Sequence, residues 1–170
     1  MMKTTGKKSL ASIIKIFLII LFILCIASMI VVPIFAQRNG EDFLRQMLFE
    51  QPLGVTVIFI YISSIPALIM LYEFIKIFSS IEKGEVFTRK IETRFLFSSI
   101  CSIIIGIIYG INVFVVPLEE ANFEYASIVV YLFFSIITAM IFLIFGIGLL
   151  VLREIYKTAI SNKEENDLTI

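Results

Sequence analysis

The chain has 170 residues, 14 Lys and Arg against 14 Asp and Glu, a formal charge of zero, 59% hydrophobic residues and only 16% charged ones. With a mean hydropathy of +1.02, this composition excludes an ordinary water-soluble domain, whose elements alternate apolar and polar faces instead of running apolar all round. Histidine and tryptophan are absent, which removes the commonest acid–base and metal-binding side chain and leaves Tyr and Phe as interfacial anchors.

Span one is predicted over Leu10 to Ala36, with Lys3, Lys7, Lys8 and Lys15 before or within its first turn. Its uninterrupted apolar part, from Ile16 onward, is long enough to cross a bilayer core of about 30 Å at about 1.5 Å per residue. A signal peptide ending at Ile34-Phe35-Ala36 is the rival reading, but such peptides carry apolar regions of about 7–15 residues and this one is longer. Gln37 to Leu53 follows as an outer loop. In it Asn39-Gly40 signals a turn, and Phe43, Leu44, Met47 and Leu48 recur at the spacing of a short amphipathic helix on the membrane surface. An irregular loop is the alternative for so short a segment.

Span two, Gly54 to Ile81, carries Pro66 near its middle. Proline has no N–H to donate, so a kink and a freed Ile62 carbonyl are expected, with Ser63 and Ser64 placed to satisfy local backbone groups. Near the inner end Glu73 and Lys76 lie one turn apart and can pair, with Lys15 a second partner. Charges at that depth are snorkelling anchors more often than proton carriers. The inner loop, 82–94, contains Lys83-Gly84-Glu85-Val86-Phe87-Thr88-Arg89-Lys90. Gly84 suits the left-handed position that stops a helix, and Thr88 suits the N-cap of a helix leading onward. Val86 and Phe87 stand between charged neighbours, open to the interface or to a partner.

Span three, Phe95 to Val116, ends at Pro117. Ser98, Ser102, Gly106 and Gly110 recur every four residues on one face, where small side chains let two helices approach closely. Packing within the chain is favoured for this face, and homo-oligomerisation is the alternative. Asn112 is expected to be buried and to hydrogen-bond a neighbouring helix. Glu119, Glu120 and Glu124 make the second outer loop acidic; with Glu41, Asp42 and Glu50 they outnumber Arg38 and Arg45. A cationic peptide or divalent cation would be attracted there, although acidic outer loops are also the ordinary counterpart of basic inner ones.

Span four, Ala126 to Leu152, continues into a tail, 153–170, where Arg153 and Lys157 mark the inner boundary. Ser161-Asn162-Lys163-Glu164 offers a capping-box pattern. The tail ends in a polar stretch with an apolar tip, Glu165-Asn166-Asp167-Leu168-Thr169-Ile170. Cys25 and Cys101 both sit inside apolar runs as packing residues. With so few Cys and no His, neither a metal site nor a cofactor is expected.

If both termini lie in the cytoplasm, every Lys and Arg except Arg38 and Arg45 falls on the cytoplasmic side, the sorting that sets membrane topology. The expected fold is therefore all-α: a polytopic four-transmembrane-helix bundle of one membrane domain, multi-pass in a cell membrane, with both ends inside.

The inner loop Ile81-Glu82-Lys83-Gly84-Glu85-Val86-Phe87-Thr88, the terminal Glu165-Asn166-Asp167-Leu168-Thr169-Ile170 and the four-span layout resemble the bacterial membrane-protein family known as domain of unknown function 2975. No biochemical activity comes with that resemblance. It implies a partner, a cytoplasmic helix-turn-helix regulator of the Cro/C1 type encoded beside the membrane protein.

Four functions are compatible with such a chain. In the first it is a membrane partner of that regulator, docking it through Lys83, Gly84, Phe87 and Thr88 and through Glu165 to Ile170, without contacting nucleic acid itself. The plain alternative for the tail is disorder. The second is a small transporter or channel subunit, for which intramembrane polar groups are sparse. The third is immunity or envelope-stress protection against cationic peptides by the acidic outer face. The fourth, an intramembrane enzyme, lacks a buried nucleophile with its base, a carboxylate pair or a metal.

Overall fold

The computed structural model describes residues 3–47, 53–119 and 125–168. They form α1 (Lys3–Met47), α2 (Leu53–Glu82), α3 (Arg89–Glu119) and α4 (Tyr125–Leu168), with no strand among the described residues. Each helix holds a segment long and apolar enough to cross a membrane, at Leu10–Ile34, Ile58–Glu82, Arg89–Val115 and Val129–Asn166. This is the architecture of a multi-pass α-helical membrane protein. The pairs Lys15–Glu82 and Arg89–Glu164 place the start of α1 and the end of α4 beside the two ends of the α2–α3 turn.

Among the described residues the helices pack in chain order, α1 on α2, α2 on α3 and α3 on α4, and α1 approaches neither α3 nor α4. Every buried polar side chain among the described residues is a serine or an asparagine, packed beside large residues such as Ile77, Ile91, Phe95 and Ile105, while the outside of the row is aliphatic and aromatic. Ser98, Ser99 and Ser102 are fully buried and Asn112 nearly so, whereas Ile100, Ile104, Ile107 and Ile111 of the same helix are exposed. Lipid solvates the aliphatic faces, and close packing collects the small residues.

The α3–α4 contact shows this most directly. A Cβ on Gly106 would lie 2.7 Å from Leu143 Cγ and 3.1 Å from the Ala139 carbonyl oxygen, and one on Gly146 would lie 2.7 Å from Ile103 Cγ1 and 3.1 Å from the Ser99 carbonyl oxygen. Only residues without a side chain permit this separation. Ser102 Oγ then donates to the Phe142 carbonyl across the gap, at 2.7 Å.

Proline defects are handled in two ways. Pro33 lies inside α1 and denies the Met29 carbonyl its usual partner four residues on. Tyr61 of α2 donates its hydroxyl to that carbonyl at 2.8 Å, so a defect in one helix becomes a tie to the next. Near Pro66 both Ser63 Oγ (3.0 Å) and Ser64 Oγ (2.6 Å) donate to a local backbone group as expected, the Ile60 carbonyl.

Two expected breaks in the chain are absent. α1 runs through Asn39-Gly40 to Met47 in place of a turn and a separate short helix. α4 likewise runs through Ser161 to Leu168, so the capping-box pattern starts nothing. Nucleating a helix is costly and extending one is cheap, so local stop and start signals lose to a helix already formed.

Candidate functional site

The polar chemistry gathers at one end, which carries the α2–α3 turn and the extension of α4. The turn is built by glycine. Gly84 has φ +86°; its N–H bonds to the Ile81 carbonyl and the Glu85 N–H to the Ser80 carbonyl, both at 3.0 Å. That pair of bonds is the Schellman stop, which needs a left-handed residue at the Gly84 position. Thr88 then stands at the N-cap of α3, its carbonyl accepting the Ile91 N–H at 3.0 Å. Its hydroxyl is buried with no hydrogen-bond partner, so backbone geometry rather than a side-chain bond makes the cap.

The inter-helix ion pairs among the described residues all lie at this end. Lys15 of α1 pairs with Glu82 of α2, and Ser12 Oγ donates to the same carboxylate at 2.6 Å. Arg94 of α3 donates to Glu73 of α2 at 2.7 Å, and Arg153 of α4 meets Glu92 of α3 at 3.2 Å. Arg89 of α3 grips Glu164 of α4 through Nε (3.3 Å) and Nη2 (2.8 Å). Each helix is therefore charge-tied to its neighbour. The expected partners differ: Glu73 takes Arg94 rather than Lys76, and Lys15 takes Glu82 rather than Glu73. Lys76 instead sets its ammonium 5.2 Å from the centre of the Tyr72 ring. A pair one turn apart on a helix is worth only tenths of a kcal/mol, so partners on neighbouring helices prevail.

Aromatic packing fills the space between these pairs. Tyr156 of α4 sits between Phe95 (ring centroids 5.0 Å apart) and Phe87 of the turn (5.8 Å). Below it Ile77, Ile91, Phe95 and Leu149 form a buried cluster, and above it Ile160 is buried in its turn. The turn and the α4 extension thus make one packed ledge, with Phe87 still 49% exposed on its edge.

The residues singled out from the sequence fall as follows. Lys83 and Gly84 are exposed at the turn, Phe87 lies on the ledge edge, and Thr88 is partly covered. Glu165 and Asn166 are exposed on α4, and Asp167 and Leu168 continue its backbone helix. Thr169 and Ile170 lie outside the described residues, so the apolar tip is only partly placed. On the small-residue face Ser102 and Gly106 meet α4 and Ser98 is fully buried, whereas a Cβ on Gly110 would meet nothing within 4 Å. Asn112 is buried as expected, but its Oδ1 finds no hydrogen-bond partner. Of the acidic residues expected on the outer face, Glu41 and Asp42 continue α1 and Glu119 ends α3, while Glu50, Glu120 and Glu124 lie outside the described residues.

Sequence reasoning missed Tyr156 and did not single out Ile160, Arg89 or Glu164, although Arg89 stands in the inner loop and Glu164 in the capping-box pattern. One signal was present: Gly146, Leu149, Arg153, Tyr156 and Ile160 follow one another at three- and four-residue steps. They continue the interior stripe of span four past its lipid boundary. Among the described residues no three His, Cys, Asp or Glu side chains converge on a metal-binding point, and the cysteines Cys25 and Cys101 are unpaired. What the arrangement offers is a rigid, mixed-charge surface with an aromatic edge.

A family model described as protein of unknown function (DUF2975) matches residues 46–170. No curated protein and no solved structure matches the chain.

Proposed function

The chain belongs to this family of unknown function, and from that premise we propose that it is a non-catalytic accessory protein of the membrane whose charged end docks a cytoplasmic partner. The observation that carries this reading is the ledge: the α2–α3 turn and the α4 extension are locked together by Phe87–Tyr156 and Arg89–Glu164. A surface assembled before binding loses little conformational freedom when a partner covers it. Phe87 is an aromatic anchor of the kind that dominates interfaces. The basic residues support a cytoplasmic placement of this end, since all but Arg38 and Arg45 lie on it.

The partner implied by the family resemblance is a small helix-turn-helix regulator in a bacterial cell. Held on the ledge, it would be kept at the membrane, and a change in helix packing that altered the ledge would change its retention. The chain itself then needs no contact with nucleic acid.

The test is co-purification of the neighbouring regulator with the full chain from native membranes. The regulator is expected to stay with the intact protein and to be lost from Phe87→Asp and from a chain truncated after Lys163. Retention by both variants, or by neither variant nor the intact chain, overturns the docking. Orientation is checked separately by placing a cysteine at Lys83. Labelling is expected only after permeabilisation, and labelling of intact cells refutes the cytoplasmic placement.

A further inference from the structure

The exposed stripe of α3 ends in a charged groove, and the two features fit one ligand. Phe97, Ile100, Ile104, Ile107, Ile111 and Phe114 are all exposed and follow one another at alternating steps of three and four residues, so they form a single lipid-facing line along the helix. Toward the charged end the same line continues into Thr93 and Lys90. There an open groove of about 280 Å³ is lined by Glu73, Lys90, Thr93, Arg94 and Phe97.

We infer that this groove binds the phosphodiester headgroup of an anionic phospholipid whose acyl chain lies along the Phe97–Ile111 stripe.

Charge supports an anion. Glu73 neutralises Arg94 through one hydrogen bond from Nη1, which leaves Lys90 as the net charge of the lining residues. Lys90 is exposed in the first turn of α3, whose two other charged residues are already paired, Arg89 with Glu164 and Glu92 with Arg153. Basic residues in the first turn of a helix oppose its dipole, whereas an anion there is favourable. Thr93 contributes shape only, because its hydroxyl already donates to the Arg89 carbonyl at 3.0 Å.

Position supports a lipid over a free anion. The groove opens where an apolar stripe meets the first charges, the depth at which headgroups sit, and basic pockets between helices at that depth recognise anionic headgroups. Phe97, 51% exposed, belongs to both the groove and the stripe, as contact with headgroup and chain at once requires. No residue lining the groove is one of the four that lock the ledge, Phe87, Tyr156, Arg89 and Glu164.

The test uses the full chain in detergent, titrated with phosphatidylglycerol or phosphatidylcholine and read by native mass spectrometry as retained lipid. Phosphatidylglycerol is expected to be retained in preference. Lys90→Gln, an exposed change that leaves the Glu73–Arg94 pair intact, is expected to weaken that retention about fivefold, the weight of one lysine beside an anionic surface. Phe97→Ser is expected to weaken both lipids. Equal retention of the two lipids, or no effect of Lys90→Gln, overturns the proposal. Displacement of phosphatidylglycerol by millimolar inorganic phosphate at constant ionic strength overturns the lipid assignment in favour of a free-anion site.

Discussion

α1 and α3 invert the rule that governs soluble proteins. α1 contains the span of highest mean hydropathy, yet none of that window is buried; α3 carries serines, glycines and an asparagine, and 39% of its window is buried. In water the most apolar segment would be the core. In lipid no solvent expels aliphatic side chains, so burial follows the chance of close approach and of polar contacts. α3 offers both, and α1 offers two hydrogen bonds, from Tyr61 and from its own Ser12, and one ion pair at Glu82.

Changes to the α3–α4 seam should therefore have the largest effects. Gly146→Leu is expected to lower stability by about 2–3 kcal/mol through overpacking against Ile103 and the α3 backbone. The midpoint of unfolding in mixed detergent measures it. Gly148→Leu is the control: a Cβ there meets nothing within 4 Å, and the midpoint should stay within about 0.5 kcal/mol of wild type. Equal losses from the two would mean that helix glycines matter here for flexibility and not for contact.

Next in size is Glu73→Gln. The side chains of Arg94 and Glu73 are 27% and 16% exposed, so stranding the guanidinium should cost about 1–2 kcal/mol, between the values for surface and buried pairs. Arg89→Gln removes a pair whose side chains are 72% and 52% exposed and should leave the midpoint unchanged. The same variant should nonetheless loosen the ledge, read as faster hydrogen exchange over Lys157 to Glu164. Without that faster exchange, Tyr156 packing alone holds the extension of α4.

An effect smaller than those at Gly146 and Glu73 falls on α1. Tyr61→Phe returns the Met29 carbonyl to an unpaired state and should cost about 0.6 kcal/mol, the mean of such bonds in membranes. A spin-label pair at Ile30 and Ile58 should report a broader distance distribution. An unchanged distribution would show that α1 is held by its charged end alone.

How much of this could be read in advance depended on the range of the signal. The four spans are properties of single segments, and hydropathy over a window of membrane-crossing length reveals them. Gly84 was legible for the same reason: a helix stop is decided within a few residues. Asn39-Gly40 and Ser161 misled because turn and cap signals describe a chain that is not already helical. Partners such as Arg94 for Glu73 lie on different helices, and several acceptable cations stood at similar depth. Nothing local chooses among them. The ledge was half legible: Phe87 was marked as exposed, but the ring it rests on lies in a tail that composition alone describes as polar.

α4 has one more consequence. It is 44 residues long, contains no proline, and at about 1.5 Å per residue extends well beyond a hydrocarbon layer of about 30 Å. It is a single stiff rod from one face of the membrane to the other, while α1 and α2 are interrupted by Pro33 and Pro66. A displacement imposed near Val129 meets no proline hinge on the way to Glu164.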